Sequence, residues 1–418
     1  MHRLPRQFLP TCLLIPFAWP LLSLAAEPPT APGVIGWRGD GAGIYPGANP
    51  PTQWDSDAGK NIRWRTKVGK GQSTPVVAAG RVFLTAEPDL LMCLDRTSGK
   101  MLWTKENGYA ALPPGTNAPE KLPPTSPNCG YASATPVTDG KSVYATFGTG
   151  IAVCYDLEGG RKWIRYLDLP QITQYGRSAS PVLADGKLLV SLSGLTALEP
   201  QTGATLWDAP AAKSSYGTPA LVKLGDAHIA VTPTGDCVRV ADGKILATKL
   251  ASMKYTSPLA AGNVVYFVDA STVAYRLSGP VGEKIEPERL WENDDVEGEF
   301  FASPVCCDGI LYCVSNEGTL YALDAKTGKL QWKRELEIRS ASGKPGAEPA
   351  NLYPSPILAG RHLLVGNDAG EMLLLVPGGQ YKEAGRASLA GGSGATPVPD
   401  GDCLFLRGGR DLYCIGSK

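Results

Sequence analysis

The sequence predicts an all-β chain in which eight four-stranded antiparallel blades close into a single β-propeller. Three observations support this prediction. A Ser-Pro or Thr-Pro pair opens a short apolar run eight times, a turn glycine follows each run, and a second turn of the form Asp-x-x-x-Gly leads to a tryptophan in several copies. Eight copies of one unit at blade length indicate a repeat architecture rather than separate domains.

The first half of each unit has the pattern of a β-hairpin. Four of the eight turn glycines follow an aspartate, and Asp-Gly between two apolar runs is a strong short-range hairpin signal. The prolines that open the units are Pro75, Pro136, Pro181, Pro219, Pro258, Pro304, Pro356 and Pro397. Their spacing leaves room for two further strands in every unit.

The second half of the unit is clearest between Tyr321 and Trp332, and it recurs at 93–103 and 197–207. The acidic residue opens a tight turn by bonding to nearby backbone, and the glycine takes the left-handed position. A tryptophan on the outer strand is suited to cover a neighbouring sheet. We therefore expect Trp103, Trp207 and Trp332 at equivalent, largely buried places.

The last unit lacks its fourth strand. It stops after the third strand at 411–415, whereas a matching Ile-Arg-Trp strand lies before the first unit, at 62–66. The sequence therefore predicts that this N-terminal strand completes the last blade and leaves no open edge. Blades four and seven have the weakest signals for a fourth strand.

The N-terminus and the overall charge indicate an exported protein. Residues 1–26 combine a basic start, an apolar run and small residues before Glu27, which predicts a cleaved signal peptide and a propeller domain at 27–418. The apolar run is too short for a transmembrane segment. The 40 basic and 40 acidic residues are interspersed, which argues against a nucleic-acid partner. We expect a periplasmic or secreted monomer.

One set of residues suggests a binding site. The residues three positions before each repeat proline begin the innermost strands and should surround the axis; they are Gln72, Ser133, Ser178, Tyr216, Tyr255, Phe301, Tyr353 and Gly394. Four consecutive members are aromatic, and Arg177 and Lys254 stand next to the set. We expect a one-sided patch for a planar or anionic ligand. The alternative is that these aromatic side chains pack between blades.

The motif Leu-Asp-x-x-x-Gly-x-x-Leu-Trp, at blade spacing after Ser-Pro, resembles the pyrroloquinoline-quinone-like (PQQ-like) β-propeller repeat proteins. The entry segment that begins at Trp37 and the ending at 412–416 resemble exported bacterial members. The resemblance implies the fold more than the chemistry. Quinoprotein alcohol dehydrogenases, an outer-membrane-assembly scaffold lipoprotein and many proteins of no known activity use this repeat.

The resemblance draws attention to Cys306 and Cys307, because quinoprotein alcohol dehydrogenases carry a disulfide between adjacent cysteines against the cofactor. In this sequence the pair stands late in an inner strand, where neighbouring side chains point to opposite faces. We expect free thiols, with a vicinal disulfide as the alternative. The run Asn293-Asp294-Asp295 lacks the spacing of a known calcium loop.

Two function classes follow. The first is a non-catalytic, exported propeller that binds a protein or a small ligand at its axial mouth. The alternative is a quinoprotein dehydrogenase that oxidises alcohols or sugars with PQQ and calcium, although no set of ligands for calcium and no catalytic aspartate can be assigned. A hydrolase or lyase has no nameable acid and base pair.

Overall fold

The computed structural model separates a compact unit at 33–418 from residues 1–32. The residues that the structure describes are 1–2, 35–168, 173–192, 194–214, 216–269, 271–279, 282–338 and 349–417. The predicted signal peptide lies outside this part of the chain apart from its first two residues. The fold described below is that of the larger unit.

Eight sheets form the blades, and each blade has four antiparallel strands. The predicted eight-bladed propeller is confirmed. From innermost to outermost, the strands of the first four blades are Val76–Ala78, Arg81–Ala86, Leu90–Asp95 and Met101–Glu106 (blade 1); Val137–Thr138, Ser142–Thr146, Ile151–Asp156 and Arg161–Tyr166 (blade 2); Val182–Ala184, Lys187–Ser191, Leu195–Leu198 and Thr205–Ala209 (blade 3); Ala220–Leu224, Ala227–Val231, Cys237–Arg239 and Ile245–Ala247 (blade 4). The innermost strands of most neighbouring blades contact one another around the axis.

The second half of the chain repeats this arrangement. Its strands are Leu259–Ala261, Val264–Phe267, Thr272–Ser278 and Glu286–Asn293 (blade 5); Val305–Cys307, Ile310–Val314, Thr319–Asp324 and Leu330–Glu335 (blade 6); Ile357–Ala359, His362–Gly366, Glu371–Leu375 and Glu383–Ser388 (blade 7); Val398–Asp400, Cys403–Gly408 and Asp411–Ile415 (blade 8). Blades 4 and 7 therefore have complete fourth strands despite their weak sequence signals. In the described residues the one helical element is a 3-10 turn at Tyr109–Ala111, and no helix is long and apolar enough to cross a membrane.

The predicted closure is also confirmed. Strand Ile62–Lys67 pairs antiparallel with Asp411–Ile415 and is the outermost strand of blade 8. Ile62 lies opposite Ile415, and Thr66 lies opposite Leu412. The first and last parts of the propeller are thus held in one sheet, so blade 8 has the same four strands as the others.

The segment before this strand crosses the propeller. Ile35 exchanges backbone hydrogen bonds of 2.9 Å with Thr138 in blade 2. Three residues later, the buried Arg38 guanidinium donates to the carbonyls of Pro304 and Pro356, at 2.8 and 3.0 Å, in blades 6 and 7. Strand Ile44–Tyr45 then pairs in parallel with the innermost strand of blade 7. Because blade 2 lies across the axis from blades 6 and 7, the chain passes over the central channel between them.

The hydrophobic core consists of eight layers, one between each pair of neighbouring blades. The layer between blades 6 and 7 shows the pattern: Tyr312 and Leu320 from one sheet meet Leu363 and Leu373 from the next, all almost fully buried. Side chains alternate along a strand, so each sheet supplies one face to each of its two neighbours. Each blade is therefore stable only against its neighbours, as in other closed repeat folds.

Outer-strand tryptophans connect six of the eight blades to the next one, and the outer strands of blades 4 and 7 carry none. Each indole nitrogen donates to a carbonyl in the outer turn of the following blade, at 2.8–3.1 Å; the pairs are Trp64 to Arg96, Trp103 to Leu157, Trp163 to Pro200, Trp207 to Val240, Trp291 to Ala325, and Trp332 to Gly378. The predicted equivalence of Trp103, Trp207 and Trp332 holds, but these three side chains are only half-buried, because one face of an outer strand meets solvent. Trp291 fills this place in blade 5, although its sequence surroundings do not match the motif.

The turn glycine of the motif has two reasons to be glycine. Gly328 has φ of 72° and faces the ring of Trp291 from the preceding blade. A side chain there would place Cβ 2.5 Å from that ring, and the positive φ would strain any other L-residue. The turn of one blade and the tryptophan of the preceding blade thus pack directly against each other.

Candidate functional site at the axial mouth

A cavity of about 440 Å³ lies on the axis, at the end where the innermost strands begin. Two rings of side chains line it, and every blade contributes one residue to each ring. The outer ring is the predicted set, namely Gln72, Ser133, Ser178, Tyr216, Tyr255, Phe301, Tyr353 and Gly394. All eight are partly exposed. The repeat register thus brings these eight residues together around the axis, each a few residues before the innermost strand of its blade.

The inner ring is formed by the hydroxyl residues that precede the repeat prolines. In each blade the backbone N–H of this residue donates to the side-chain oxygen of the next one, at 2.9–3.2 Å, through Thr74, Thr135, Ser180, Thr218, Ser257, Ser303, Ser355, Thr396 and back to Thr74. All eight residues are buried, and all line the cavity. A hydroxyl that accepts an N–H retains its own O–H as a donor. The ring thus closes the propeller and supplies eight hydroxyl groups to the cavity.

Five aromatic rings form a continuous arc along one side of the mouth. Tyr216 and Tyr255 have ring centroids 5.4 Å apart, Tyr255 and Phe301 are 4.9 Å apart, and Phe301 and Tyr353 are 5.0 Å apart. Tyr175 lies 6.0 Å from both Tyr216 and Tyr255. These are ordinary separations for aromatic pairs. Sequence reasoning missed Tyr175, because it stands in a loop outside the repeat register.

The structure separates the two predicted cations. Lys254 lies at the exposed rim, with its ammonium 4.6 Å from the centre of the Tyr255 ring and 3.6 Å from Glu299. Arg177 is buried and does not line the cavity, and this burial lowers the pKa of its guanidinium. Both residues stand directly before an outer-ring residue, so the repeat register does not decide which of them faces the mouth. The structure brings Lys254 to the rim of the cavity but does not bring Arg177 to its lining.

Trp37 forms the floor of the cavity. It also lines a second cavity, of about 410 Å³, that lies further along the innermost strands of blades 3 to 5. The indole thus stands between the two spaces, where the N-terminal segment crosses the channel. Arg38 follows directly and anchors this crossing by its hydrogen bonds to Pro304 and Pro356. The sequence singled out Trp37 as part of an entry segment, but no repeat signal indicated its position on the axis.

The residues at the mouth do not fit calcium and PQQ. Calcium takes six to eight oxygen ligands with several carboxylates, whereas Glu299 is the one acidic side chain among the described lining residues. No group of three or more His, Cys, Asp or Glu side chains in the described chain is arranged to hold a metal. In the Asn293 run, the Asn293 side chain accepts from the backbone of Asp295 and Val296 and therefore closes a turn.

The adjacent cysteines lie away from the mouth. Cys307 belongs to the core between blades 6 and 7, whereas Cys306 packs against the core between blades 5 and 6. Both thiols are free in the structure. Burial raises the pKa of Cys306 to about 11 and that of Cys307 to about 12, so both remain protonated at neutral pH.

Comparisons with known proteins agree with the fold. A profile of the family described as outer membrane protein assembly factor BamB matches residues 52–285 and 287–408. The BamB of Yersinia pestis is 27% identical over 286 residues, which cover 65% of this chain and 60% of that protein. The BamB of Shewanella oneidensis is 21% identical over 367 residues, or 75% of this chain and 88% of that protein. The crystal structure of BamB from Moraxella catarrhalis superposes with a TM-score of 0.58 at 13% identity, over 85% of this chain and 97% of that one.

Proposed function

The chain belongs to the family of the outer membrane protein assembly factor BamB, and from this premise we propose that it is a non-catalytic binding scaffold in the assembly of outer membrane proteins. The family match, which extends through most of the propeller, carries the proposal. A role in the assembly of outer membrane proteins requires export, in agreement with the predicted signal peptide at 1–26. We infer that the protein works on the periplasmic side of the outer membrane.

The chemistry of the mouth supports binding rather than catalysis. General acid and base catalysis needs a pair of titratable groups within hydrogen-bond reach of a substrate. Among the described lining residues, Glu299 interacts with Lys254, and Cys129 is a thiol whose pKa is raised by burial. The remaining lining consists of aromatic rings, hydroxyls and amides. Such a lining suits recognition, because a few polar groups orient a ligand against an apolar wall.

The axial mouth is the binding surface in this proposal. Lys254 and Glu299 at the rim offer one charge of each sign, and the aromatic arc offers stacking faces beneath them. Stacking and cation contacts contribute about 0.5–2 kcal/mol each, so several must act together. A polypeptide that crosses the mouth can use the arc and the rim at the same time.

The test is complementation in a bacterium that lacks this gene. Folded outer membrane β-barrel proteins are measured by their heat-dependent mobility on gels, in strains that carry the wild type or the double variant Tyr255→Ala, Tyr353→Ala. We expect the deletion to lower the level of folded barrels and the double variant to restore it poorly. The matched control is Tyr381→Ala. Tyr381 packs on Trp332, which lies on the outermost strand of blade 6 and therefore away from the mouth.

Two results would contradict the proposal. One is a deletion strain with normal levels of folded outer membrane proteins. The other comes from the purified protein mixed with PQQ and calcium, which we expect to show neither an absorbance shift nor dye-linked turnover of alcohols or sugars. Turnover in that assay would make the protein a quinoprotein dehydrogenase.

A further inference from the structure

The axial cavity changes character along its depth. Its outer ring is aromatic over half the circumference, and its inner ring carries a hydroxyl in all eight blades. We propose that this cavity holds one tyrosine side chain of an unfolded outer membrane polypeptide. The source of that polypeptide rests on the proposed function, whereas the preference for a phenol ring rests on the cavity alone.

The upper part of the cavity suits a flat apolar ring. Tyr216, Tyr255 and Phe301 have centroids within 5.4 Å of their neighbours, and they present tilted faces and edges rather than one flat stack. Aromatic rings prefer such offset and edge-to-face arrangements. An entering ring can therefore pack against the arc without displacing it. The opposite side of the outer ring carries Gln72, Ser133, Ser178 and Gly394. Gln72 accepts the backbone N–H of Gly394, and the other three residues are small and leave space for the entering ring.

The lower part of the cavity suits a neutral polar tip. Each inner-ring oxygen already accepts a backbone N–H, and within the described chain none of these hydroxyls donates to a protein acceptor. A phenol hydroxyl both donates and accepts, so it can form hydrogen bonds with the inner-ring hydroxyls as donor or as acceptor. A phenylalanine ring in the same place would leave the hydroxyls without that partner.

The charges argue against an anionic ligand. Among the described residues that line the cavity there is no lysine, arginine or histidine, and Lys254 lies at the rim beside Glu299. The buried Arg38 lies beyond the Trp37 floor and donates to two proline carbonyls. A carboxylate or phosphate would have to lose its water without gaining a cation. The cavity therefore favours a neutral phenol over the anionic ligand that the sequence also allowed.

The floor limits how much can enter. Trp37 lines both this cavity and the second one further along the axis, so its indole limits the depth to which a ligand can enter from the aromatic mouth. A cavity of about 440 Å³ takes a side chain and part of its backbone rather than a folded element. Outer membrane β-barrels carry girdles of aromatic residues. Their unfolded chains therefore offer tyrosines to such a cavity.

The experiment uses the purified full-length mature protein and three small probes. N-acetyltyrosinamide, N-acetylphenylalaninamide and N-acetylleucinamide are titrated at millimolar concentration and followed by saturation-transfer NMR. We expect the tyrosine probe to bind about 3- to 10-fold more tightly than the phenylalanine probe, the range that one net hydrogen bond gives. The leucine probe should give no saturable signal.

Variants locate the site. Tyr255→Leu should weaken both aromatic probes, whereas Tyr381→Leu, outside the mouth, should weaken neither. Thr218→Val removes one of the eight hydroxyls and should reduce the preference for the tyrosine probe over the phenylalanine probe, whereas Thr218→Ser retains the hydroxyl and should leave that preference unchanged. Melting temperatures are measured for all four, so a folding defect in the valine variant is recognised. The Tyr255 comparison then remains a separate test.

Several outcomes would overturn the inference. These are equal binding of the tyrosine and phenylalanine probes to the wild type, preferential binding of benzoate, or binding of an N-acetylglucosamine trisaccharide in place of the tyrosine probe. No binding of any aromatic probe, with normal complementation in cells, would refute the inference and leave the proposed function intact. If the tyrosine probe binds but deletion of the gene leaves the level of folded outer membrane proteins normal, the proposed function is refuted and the preference of the cavity for a phenol ring stands.

Discussion

Replacing Thr135 by valine tests whether the hydroxyl ring stabilises the propeller. The Thr135 side-chain oxygen accepts the backbone N–H of Thr74 at 3.1 Å, and both residues are almost fully buried. Valine has nearly the same shape as threonine, so it creates no cavity, but it cannot accept a hydrogen bond. The backbone N–H of Thr135 still donates to Ser180, at 3.0 Å. The substitution therefore removes one acceptor and leaves one buried donor without its partner.

The size of the effect follows from that donor. An unsatisfied buried N–H costs about 1–3 kcal/mol, and the extra methyl group of valine returns at most about 0.8 kcal/mol. We expect Thr135→Val to lower the free energy of unfolding by about 1–2 kcal/mol. Thr135→Ser keeps the acceptor and loses one methyl group, so its cost should stay below about 1 kcal/mol. The valine variant should thus be the less stable one, although it is the more apolar.

Urea denaturation of the mature protein, followed by tryptophan fluorescence, measures the difference between these variants. The midpoints are compared at equal slope, because a changed slope would report a different unfolded or native state. A valine variant as stable as the wild type, or more stable than the serine variant, would refute the view that the ring stabilises the closed propeller. The eight hydroxyls would then be explained by the cavity alone.

Three further predictions concern other parts of the fold. Trp332→Ala should lower the free energy of unfolding by about 2–4 kcal/mol, because it removes a half-buried ring and its hydrogen bond to Gly378. Trp332→Phe, which keeps a ring, should cost about 1 kcal/mol. A cost below about 1 kcal/mol for the alanine variant would show that this tryptophan does not stabilise the contact between blades. Deletion of residues 27–66 should expose an edge of blade 8 and cause aggregation or a non-cooperative melt, and an unchanged melt would contradict the closure argument. The Asp324 carboxylate accepts hydrogen bonds from the Thr327 hydroxyl and from backbone N–H groups, and these bonds lower the pKa of the carboxyl. The ionised carboxylate therefore contributes to stability above about pH 4, and this contribution is lost as the pH falls further. Asp324→Asn should reduce the fall in melting temperature between pH 4 and pH 2, and an unchanged fall would show that this turn does not contribute to it.

The repeat made most of the fold predictable. A residue such as Tyr255 has seven counterparts in the chain, so its place on an innermost strand follows from the register of all of them. The missing fourth strand of blade 8 was equally visible, since one copy lacked what the others had. Periodic patterns thus located both the closing strand and the outer ring of the mouth.

The remaining features have no counterpart within the repeat. The passage of Trp37 over the axis and the parallel pairing of Ile44–Tyr45 with blade 7 depend on contacts between distant parts of the chain, which no local pattern specifies. The burial of Arg177 is a further case. Arg177 and Lys254 both stand directly before an outer-ring residue, yet Arg177 is buried and Lys254 lies at the exposed rim, so the repeat register alone does not separate them.

The hydroxyl ring is the same at every blade, including the step from Thr396 to Thr74 that bridges the ends of the repeat array. The indole of Trp64 likewise bonds to the carbonyl of Arg96 as the other indoles bond to their neighbours. The junction between the ends is thus distinguished by chain connectivity rather than by chemistry. A circular permutant that joins these ends and opens the chain between two other blades would retain every bond of both sets, so neither set fixes the position of the termini in this propeller.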